Sequence, residues 1–130
     1  MNPNIRFRFE KLEVWQSARL LNREVYQVTR SFPVNEQFGL TSQLRRASVS
    51  VPSNIAEGSG RNSDKDFAHF LEQAYGSLME VASDTFLAVD EGYLTVEQSD
   101  LVLNRAQIVA GQLVSLNRSL LLPVTKVRIP

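Results

Sequence analysis

The sequence predicts an all-α protein: an antiparallel up-down-up-down four-helix bundle that assembles with copies of itself. Three observations carry that prediction. Apolar residues recur at steps of three and four through four long segments, which puts them on one face of each helix. Proline, glycine and capping pairs separate the segments by only a few residues, so successive helices lie side by side and run in opposite directions. Two of the segments carry more apolar rows than a single bundle core takes up.

In the first segment Leu12, Trp15, Ala18, Leu21, Val25, Val28 and Phe32 share a face, and Phe32-Pro33 ends it, because proline pushes the residue before it out of the helical region. The second runs from about Gly39 to Gly60, with Leu40, Leu44, Ala47, Val51 and Ile55 as its stripe. Pro52 lies inside it and removes one backbone donor, which predicts a kink. Gly58-Ser59-Gly60 closes it as a C-cap, where glycine accepts a left-handed conformation.

Ser63 and Asp66 form a capping pair that starts the third helix near Asp64. Phe67, Phe70, Leu71, Ala74, Leu78, Val81, Thr85 and Ala88 give it a wide core-facing surface ending at Gly92, a length of roughly 40 Å. Thr95 and Gln98 form a second capping box. The fourth helix then continues to about Leu121, with Pro123 as its stop, and Val102, Ala106, Val109, Leu113, Leu116 and Leu120 make the four-three seam of a left-handed bundle.

Residues 1–130 are one domain, since a chain of this length buries a single core. Short non-helical arms are expected at about 1–9, where Ile5 to Phe9 alternates, and at 123–130, which is rich in β-branched residues. The chain has no cysteine, so thiol chemistry, disulfides and cysteine zinc sites are ruled out. Met1 to Glu10 lacks the apolar run of a signal peptide and no stretch has the length of a membrane span, so a cytoplasmic location without membrane contact is expected.

The formal net charge is zero but unevenly spread: residues 1–63 carry nine basic and five acidic side chains, residues 64–104 one and nine, residues 105–130 four and none. The balances are +4, −8 and +4. Such segregation steers oppositely charged segments together, and it differs from the net basic domain that general nucleic-acid binding needs.

On a helical wheel Gln43, Arg46, Ser50, Asn54, Glu57 and Arg61 fall in one narrow polar stripe of the second helix, flanked on one side by the core stripe and on the other by Val49, Pro52 and Ala56. A polar row between two apolar ones predicts burial from both sides, and hence an oligomer interface with a polar network. In the fourth helix Leu103, Ala110, Val114 and Leu121 form a second row beside the seam. Gly76 and Gly111 each cost about 1 kcal/mol in mid-helix relative to alanine, which close approach of helices offsets.

Chemical motifs are sparse. His69 is the lone histidine, with Asp66, Glu72 and Gln73 nearby, and a helical metal site wants a second. Asp84, Asp90 and Glu91 read as a solvated acidic face, and Gly58 to Ser63 lacks the lysine of a phosphate loop. Ser48, Ser50 and Ser53 have no base beside them in sequence. No enzyme, cofactor or metal is expected. Arg19, Arg23, Arg45 and Arg46, with Arg30 and Arg61, form a candidate basic surface for RNA or DNA on the first two helices.

Phe38-Gly39-Leu40-Thr41-Ser42-Gln43-Leu44-Arg45-Arg46-Ala47, Ser50-Val51-Pro52-Ser53-Asn54-Ile55-Ala56-Glu57-Gly58 and Gly60-Arg61 resemble the four-helix-bundle family encoded in intervening sequences of bacterial 23S ribosomal RNA genes. The likeness extends to Val14-Trp15, Phe32-Pro33, Glu36, Asp66-Phe67, Gly76-Ser77 and Gly92-Tyr93-Leu94, and so covers most of the chain. That family is similar to the accessory protein of diversity-generating retroelements, a pentameric barrel of helical bundles that binds nucleic acid and a reverse transcriptase. The resemblance implies a homopentamer without catalytic activity. The retroelement protein is strongly basic whereas this chain is neutral. A self-assembling scaffold is therefore the leading expectation, and a nucleic-acid accessory protein with a possible reverse transcriptase partner is the alternative.

Overall fold

A computed structural model describes residues 4–121 of the chain. Four helices make up nearly all of it: α1 (Glu13–Thr29), α2 (Leu40–Ser59), α3 (Asp64–Asp90) and α4 (Val96–Leu121), with 3-10 turns at Arg8–Lys11 and Val34–Glu36. There is no strand among the described residues. Each helix packs on the next in sequence and α4 packs back on α1, while neither diagonal pair approaches closely. The four helices therefore stand in a ring around one core.

The three-and-four periodicity places that core where it was expected. Leu21 and Val25 of α1, Leu44, Val51 and Ile55 of α2, Phe67, Leu71, Leu78 and Val81 of α3, and Val102, Val109 and Leu113 of α4 are sealed from solvent. Each such side chain contributes about 1.5–3 kcal/mol relative to an exposed one. Trp15 and Phe70 depart from the pattern: both are half-buried at the edge of the core, with arginine guanidinium groups over their faces.

Local chemistry sets the helix ends. The Asp66 N–H donates to Ser63 Oγ at 3.1 Å, with Ser63 extended at the N-cap of α3. At the start of α4 the Gln98 N–H donates to Thr95 Oγ1 at 3.1 Å and the Thr95 N–H donates back to Gln98 Oε1 at 2.9 Å, a reciprocal box that satisfies two otherwise orphan donors. The N-cap of α2, Gly39, has no side chain to offer; Glu36 takes over, its Oε1 accepting the Leu40 N–H at 3.0 Å. The other carboxylate oxygen accepts the Tyr93 hydroxyl at 2.8 Å, tying the start of α2 to the connection between α3 and α4.

Two expectations need correction. Gly58 is not a C-cap: it lies within α2, fully covered by α3, and a Cβ there would stand 2.7 Å from Phe70 Cβ and 2.9 Å from Phe67 Cδ1. Its lack of a side chain lets the two helices meet. The cap is Gly60, at φ −91°, and the left-handed glycine of the described chain is Gly92, at φ 78°. The amino-terminal extension is also shorter than expected, because Arg8–Lys11 winds into a 3-10 turn whose Glu10 carboxylate accepts the N–H groups of Arg6 and Phe7 at 2.8 and 2.7 Å. That turn packs on its own chain, with Phe9 against Trp15 and Arg8 donating to the Ser59 carbonyl at 3.1 Å. The segment expected at 123–130 lies outside the described residues.

Candidate functional site

The hydrophilic row of α2 lies on the flank facing α3. Ser50 Oγ shares a hydrogen bond with Ser77 Oγ at 2.8 Å, and Asn54 donates to the Ser50 carbonyl and hydroxyl at 2.9 and 3.0 Å. Those two residues are half-buried. Further out the row is open: Gln43 and Arg46 are exposed, and Arg61 pairs with Glu57 at 3.3 Å with their side chains 46% and 59% exposed. An exposed pair at this helical spacing contributes only about 0.3–0.5 kcal/mol. Within one chain, then, α3 covers the inner edge of the row and its charged members satisfy each other locally.

The structure divides the candidate basic surface. Adjacent helical residues point about 100° apart, so Arg45 and Arg46 go to opposite flanks of α2. Arg45 faces α1, where Nε donates to Thr29 Oγ1 at 2.8 Å and the guanidinium lies 4.6 Å over the Tyr26 ring. Thr29 passes the bond on to the Val25 carbonyl at 2.7 Å, so Arg45 is a strut between helices. Arg46 faces α3 beside Glu80 and donates to Ser42 at 3.4 Å.

Arg19 and Arg23 remain together, on the outer groove between α1 and α2, with Phe9, Trp15, Val49 and Pro52. The Arg19 guanidinium sits 4.9 Å over Trp15, and Phe7 stacks on Phe9 at 5.6 Å. No acidic side chain lines this groove. Glu24, one residue from Arg23, turns to the far side of α1 and accepts from Arg105 Nε of α4 at 3.2 Å. The groove thus sets two arginines above an aromatic and aliphatic floor, with the Glu10 carboxylate close enough to Arg19 for the two charges to attract.

The opposite side of the ring carries an apolar band that sequence reasoning found only in part. From α4 come Leu103, Ala110 and Val114, members of the second row predicted there. From α3 come Tyr75, Met79, Ala82 and Phe86, which were not singled out although they recur at steps of four, three and four. Tyr75, Met79, Phe86 and Val114 are 38%, 42%, 58% and 44% exposed. Glu72 and Asp100 lie at its two ends. Gly76 and Gly111 face outward, where an added Cβ would meet nothing within 4 Å, so close packing within the chain is not their reason.

The carboxyls of Glu10 and Glu36 serve the fold. Backbone donors at Phe7 and Arg6 hold the Glu10 carboxyl below its ordinary range, and the Leu40 N–H and Tyr93 hydroxyl do the same for Glu36. The bond to Glu36 correspondingly raises Tyr93. Asp84 is not on a solvated face: it is 6% exposed, its Oδ2 has no hydrogen-bond partner, and burial, followed by the charge of Glu80, raises its carboxyl. His69 is exposed, beside Gln73 at 3.3 Å. Among the described residues no three histidines or carboxylates converge as metal ligands, and no helix is long and apolar enough to cross a membrane.

Comparison with known proteins adds two findings. The family model described as 23S rRNA-intervening sequence protein matches residues 10–115. A crystal structure from Bacteroides thetaiotaomicron VPI-5482, of a protein with unknown function from the S23 ribosomal protein family, superposes with a TM-score of 0.74 at 24% identity, covering 81% of this chain and 98% of that one. At that identity the match shows a shared fold. A comparison with curated proteins finds no match.

Proposed function

This chain belongs to the 23S rRNA-intervening sequence protein family, and on that premise we propose that it is a non-catalytic scaffold which assembles with itself through the outer face of α3 and α4. The observation that carries the proposal is the band of Tyr75, Met79, Phe86 and Val114 standing roughly half in water along two adjacent helices. Scattered apolar residues are ordinary on a protein surface, whereas a contiguous band with charge at its ends marks a contact. The hydrophilic row of Gln43, Arg46, Ser50, Asn54, Glu57 and Arg61 then lies near the margin of that contact, on the other flank of α3, instead of at its centre.

The antiparallel up-down-up-down course belongs to the same reading. It is supported by Gly58, near the end of α2, lying against Phe67 and Phe70, near the start of α3, while Ser50 two turns earlier meets Ser77. The non-catalytic reading is supported by the shifted carboxyls of Glu10 and Glu36, which cap backbone turns, and by Asp84, which is sealed from any substrate. A closed ring of five is the form that the likeness to the retroelement accessory protein suggests, and a cytoplasmic location without a cofactor is the expectation drawn from the sequence itself.

Met79→Asp combined with Phe86→Asp tests this reading. Both side chains are exposed in the single chain, so the helix content by circular dichroism is expected to stay at the wild-type level. A charge stranded inside a contact costs about 3–5 kcal/mol, which takes the assembly down to the 14.7 kDa chain. An assembly of unchanged mass would move the contact to another surface.

A second reading, a nucleic-acid accessory role with a reverse transcriptase as partner, is favoured by one arrangement: Arg19 over the face of Trp15, with Arg23 and Phe9 lining the same groove. Cations next to aromatic faces suit a single strand, whose bases stack while its phosphates pair. Two phosphate contacts give an affinity that falls by about 1.4 decades per decade of salt. A labelled single-stranded RNA whose binding ignores salt, or fails at low salt, defeats that reading.

A further inference from the structure

The groove between α1 and α4 opens beside the last turns of α4. Leu12, Val14 and Leu116 form its floor, and Glu13 is the one charged side chain lining it among the described residues. Gln112 lines it too, and its Oε1, closed off from water, has no hydrogen-bond partner. Further along the same flank, Leu20 lies one turn before Glu24 and Ile108 one turn after Arg105, the pair that joins the two helices at 3.2 Å. Leu20 and Ile108 are 46% and 55% exposed. A groove with one acid, an acceptor lacking a donor and exposed apolar side chains suits a basic extended strand.

We infer that residues 122–130 occupy this groove, running back along α4 as a strap of the same chain. Those residues lie outside the described ones; what selects the site is their chemistry and reach. They carry Lys126 and Arg128 and no acid. Pro123 cannot continue α4. In an extended strand alternate side chains share a face, so Thr125, Val127 and Ile129 go one way and the two basic residues the other.

The spacing fits the groove. A strand advances about 3.3 Å per residue and a helix about 1.5 Å. Turning back at Pro123 beside Leu121, the strap brings Lys126 level with Ser115, beside Glu13, after about 10 Å. Ile129 comes level with Ile108 after about 20 Å. One turning point thus sets both the basic and the apolar positions against their complements. A backbone N–H passing Gln112 supplies the donor that its Oε1 lacks, once the side-chain amide turns outward.

The groove between α3 and α4 is the competitor, since it has Glu72 and the unpartnered Asn117 Oδ1 near the same end of α4. In preferring the α1 side, the inference rests on the self-assembly reading, which reserves the α3 and α4 face for a second copy.

The chain has no cysteine, so introduced thiols report proximity without background. Val114 and Ser115 are neighbours on α4 that line opposite grooves, and both are exposed, so neither replacement touches the core. Thr125→Cys is combined with Ser115→Cys in one variant of the full chain and with Val114→Cys in the other. Oxidation is followed on non-reducing gels, with circular dichroism checking that the helix content is that of wild type. The expected result is a disulfide within one chain that closes about tenfold faster in the Ser115 variant, because a held segment raises the effective thiol concentration. Adding Glu13→Gln to that variant is expected to slow closure about two- to fivefold at low salt and to have no effect at high salt.

Equal rates in the two variants overturn the inference, because a segment without a site reaches both flanks alike. Faster closure from Val114 gives the segment to the α3 and α4 groove, and a disulfide joining two chains gives it to a neighbouring copy; either result overturns the inference too. Wild-type protein at the mass of one chain by light scattering defeats the self-assembly reading instead, and the two failures are thereby told apart.

Discussion

Replacing one hydrogen by a methyl group at two glycines is expected to move stability in opposite directions. At Gly58 the new Cβ meets Phe70 Cβ at 2.7 Å, Phe67 Cδ1 at 2.9 Å and the Phe67 carbonyl oxygen at 3.3 Å. Carbon atoms in contact prefer about 3.5–4.0 Å, and Phe70 Cβ is fixed to its backbone, so α3 itself must move outward. Overpacking of this kind costs about 1–3 kcal/mol. The gain in helix propensity is at most about 1 kcal/mol, and less in the last turn of α2 where Gly58 sits.

The net for Gly58→Ala is a loss of about 1–2 kcal/mol. At Gly111 nothing lies within 4 Å of the new Cβ, so Gly111→Ala keeps its propensity gain of about 1 kcal/mol. With a slope of about 2 kcal/mol per molar urea, the unfolding midpoint falls by about 0.5–1 M in the first variant and rises by about 0.5 M in the second. Urea titrations followed by circular dichroism, at one protein concentration, read both. A Gly58→Ala midpoint at or above wild type refutes the argument that this glycine permits the approach of α2 and α3.

Other consequences concern buried charge and pH. Burial raises the Asp84 carboxyl above its ordinary 3.8, so the folded chain takes up a proton before the unfolded one does. The penalty of the buried anion is present above the folded value and relieved as pH falls through it, and Asp84→Asn is expected to raise stability at pH 7 by about 1 kcal/mol, with thermal melts as the check; a loss at pH 7 runs against it. Glu36 behaves oppositely: held below 4.5 by the Leu40 N–H and Tyr93, it stabilises the fold above that pH and the contribution is lost as pH falls through its folded value. Glu36→Gln should flatten the acid limb of the stability profile, and combined with Tyr93→Phe it should lose less than the sum of the single changes; simple additivity would mean that the bond does not couple the two loops. Arg105→Leu leaves Glu24, whose side chain is 13% exposed, without its cation. A destabilisation of about 1.5–3 kcal/mol follows, partly recovered by adding Glu24→Gln, and an unaffected urea midpoint would place that pair in solvent.

The caps and the core were legible because both are local patterns. Ser63 with Asp66 and Thr95 with Gln98 need only a spacing of three, and the core rows need only the helical period. Gly58 was not legible, because its reason is the approach of Phe67 and Phe70 from the next helix, and beside Gly60 it looks like part of a cap. Nor does any local signal connect Glu36 to Tyr93, which meet only when the helices stack.

The divergence of Arg45 from Arg46 was available from the wheel, but the sequence pair reads first as one basic patch. The row of Tyr75, Met79, Ala82 and Phe86 was also present at helical spacing. It was concealed by the wider row of Phe67, Leu71, Leu78 and Val81 on the same helix, since both read as a single broad apolar face until α4 covers one of them. The polar row of α2 shows the limit of a wheel: it places Glu57 and Arg61 correctly beside Asn54, but one chain covers Asn54 far more than the charged pair.

The mass of the wild-type chain in dilute solution, followed by light scattering across a wide range of concentration, bears most directly on a scaffold built from its own copies. A discrete mass at a multiple of 14.7 kDa, held as the sample is diluted and lost on replacing Met79 and Phe86 by aspartate, is the predicted result. A steady 14.7 kDa at every concentration contradicts it, and would leave the band on α3 and α4 facing water.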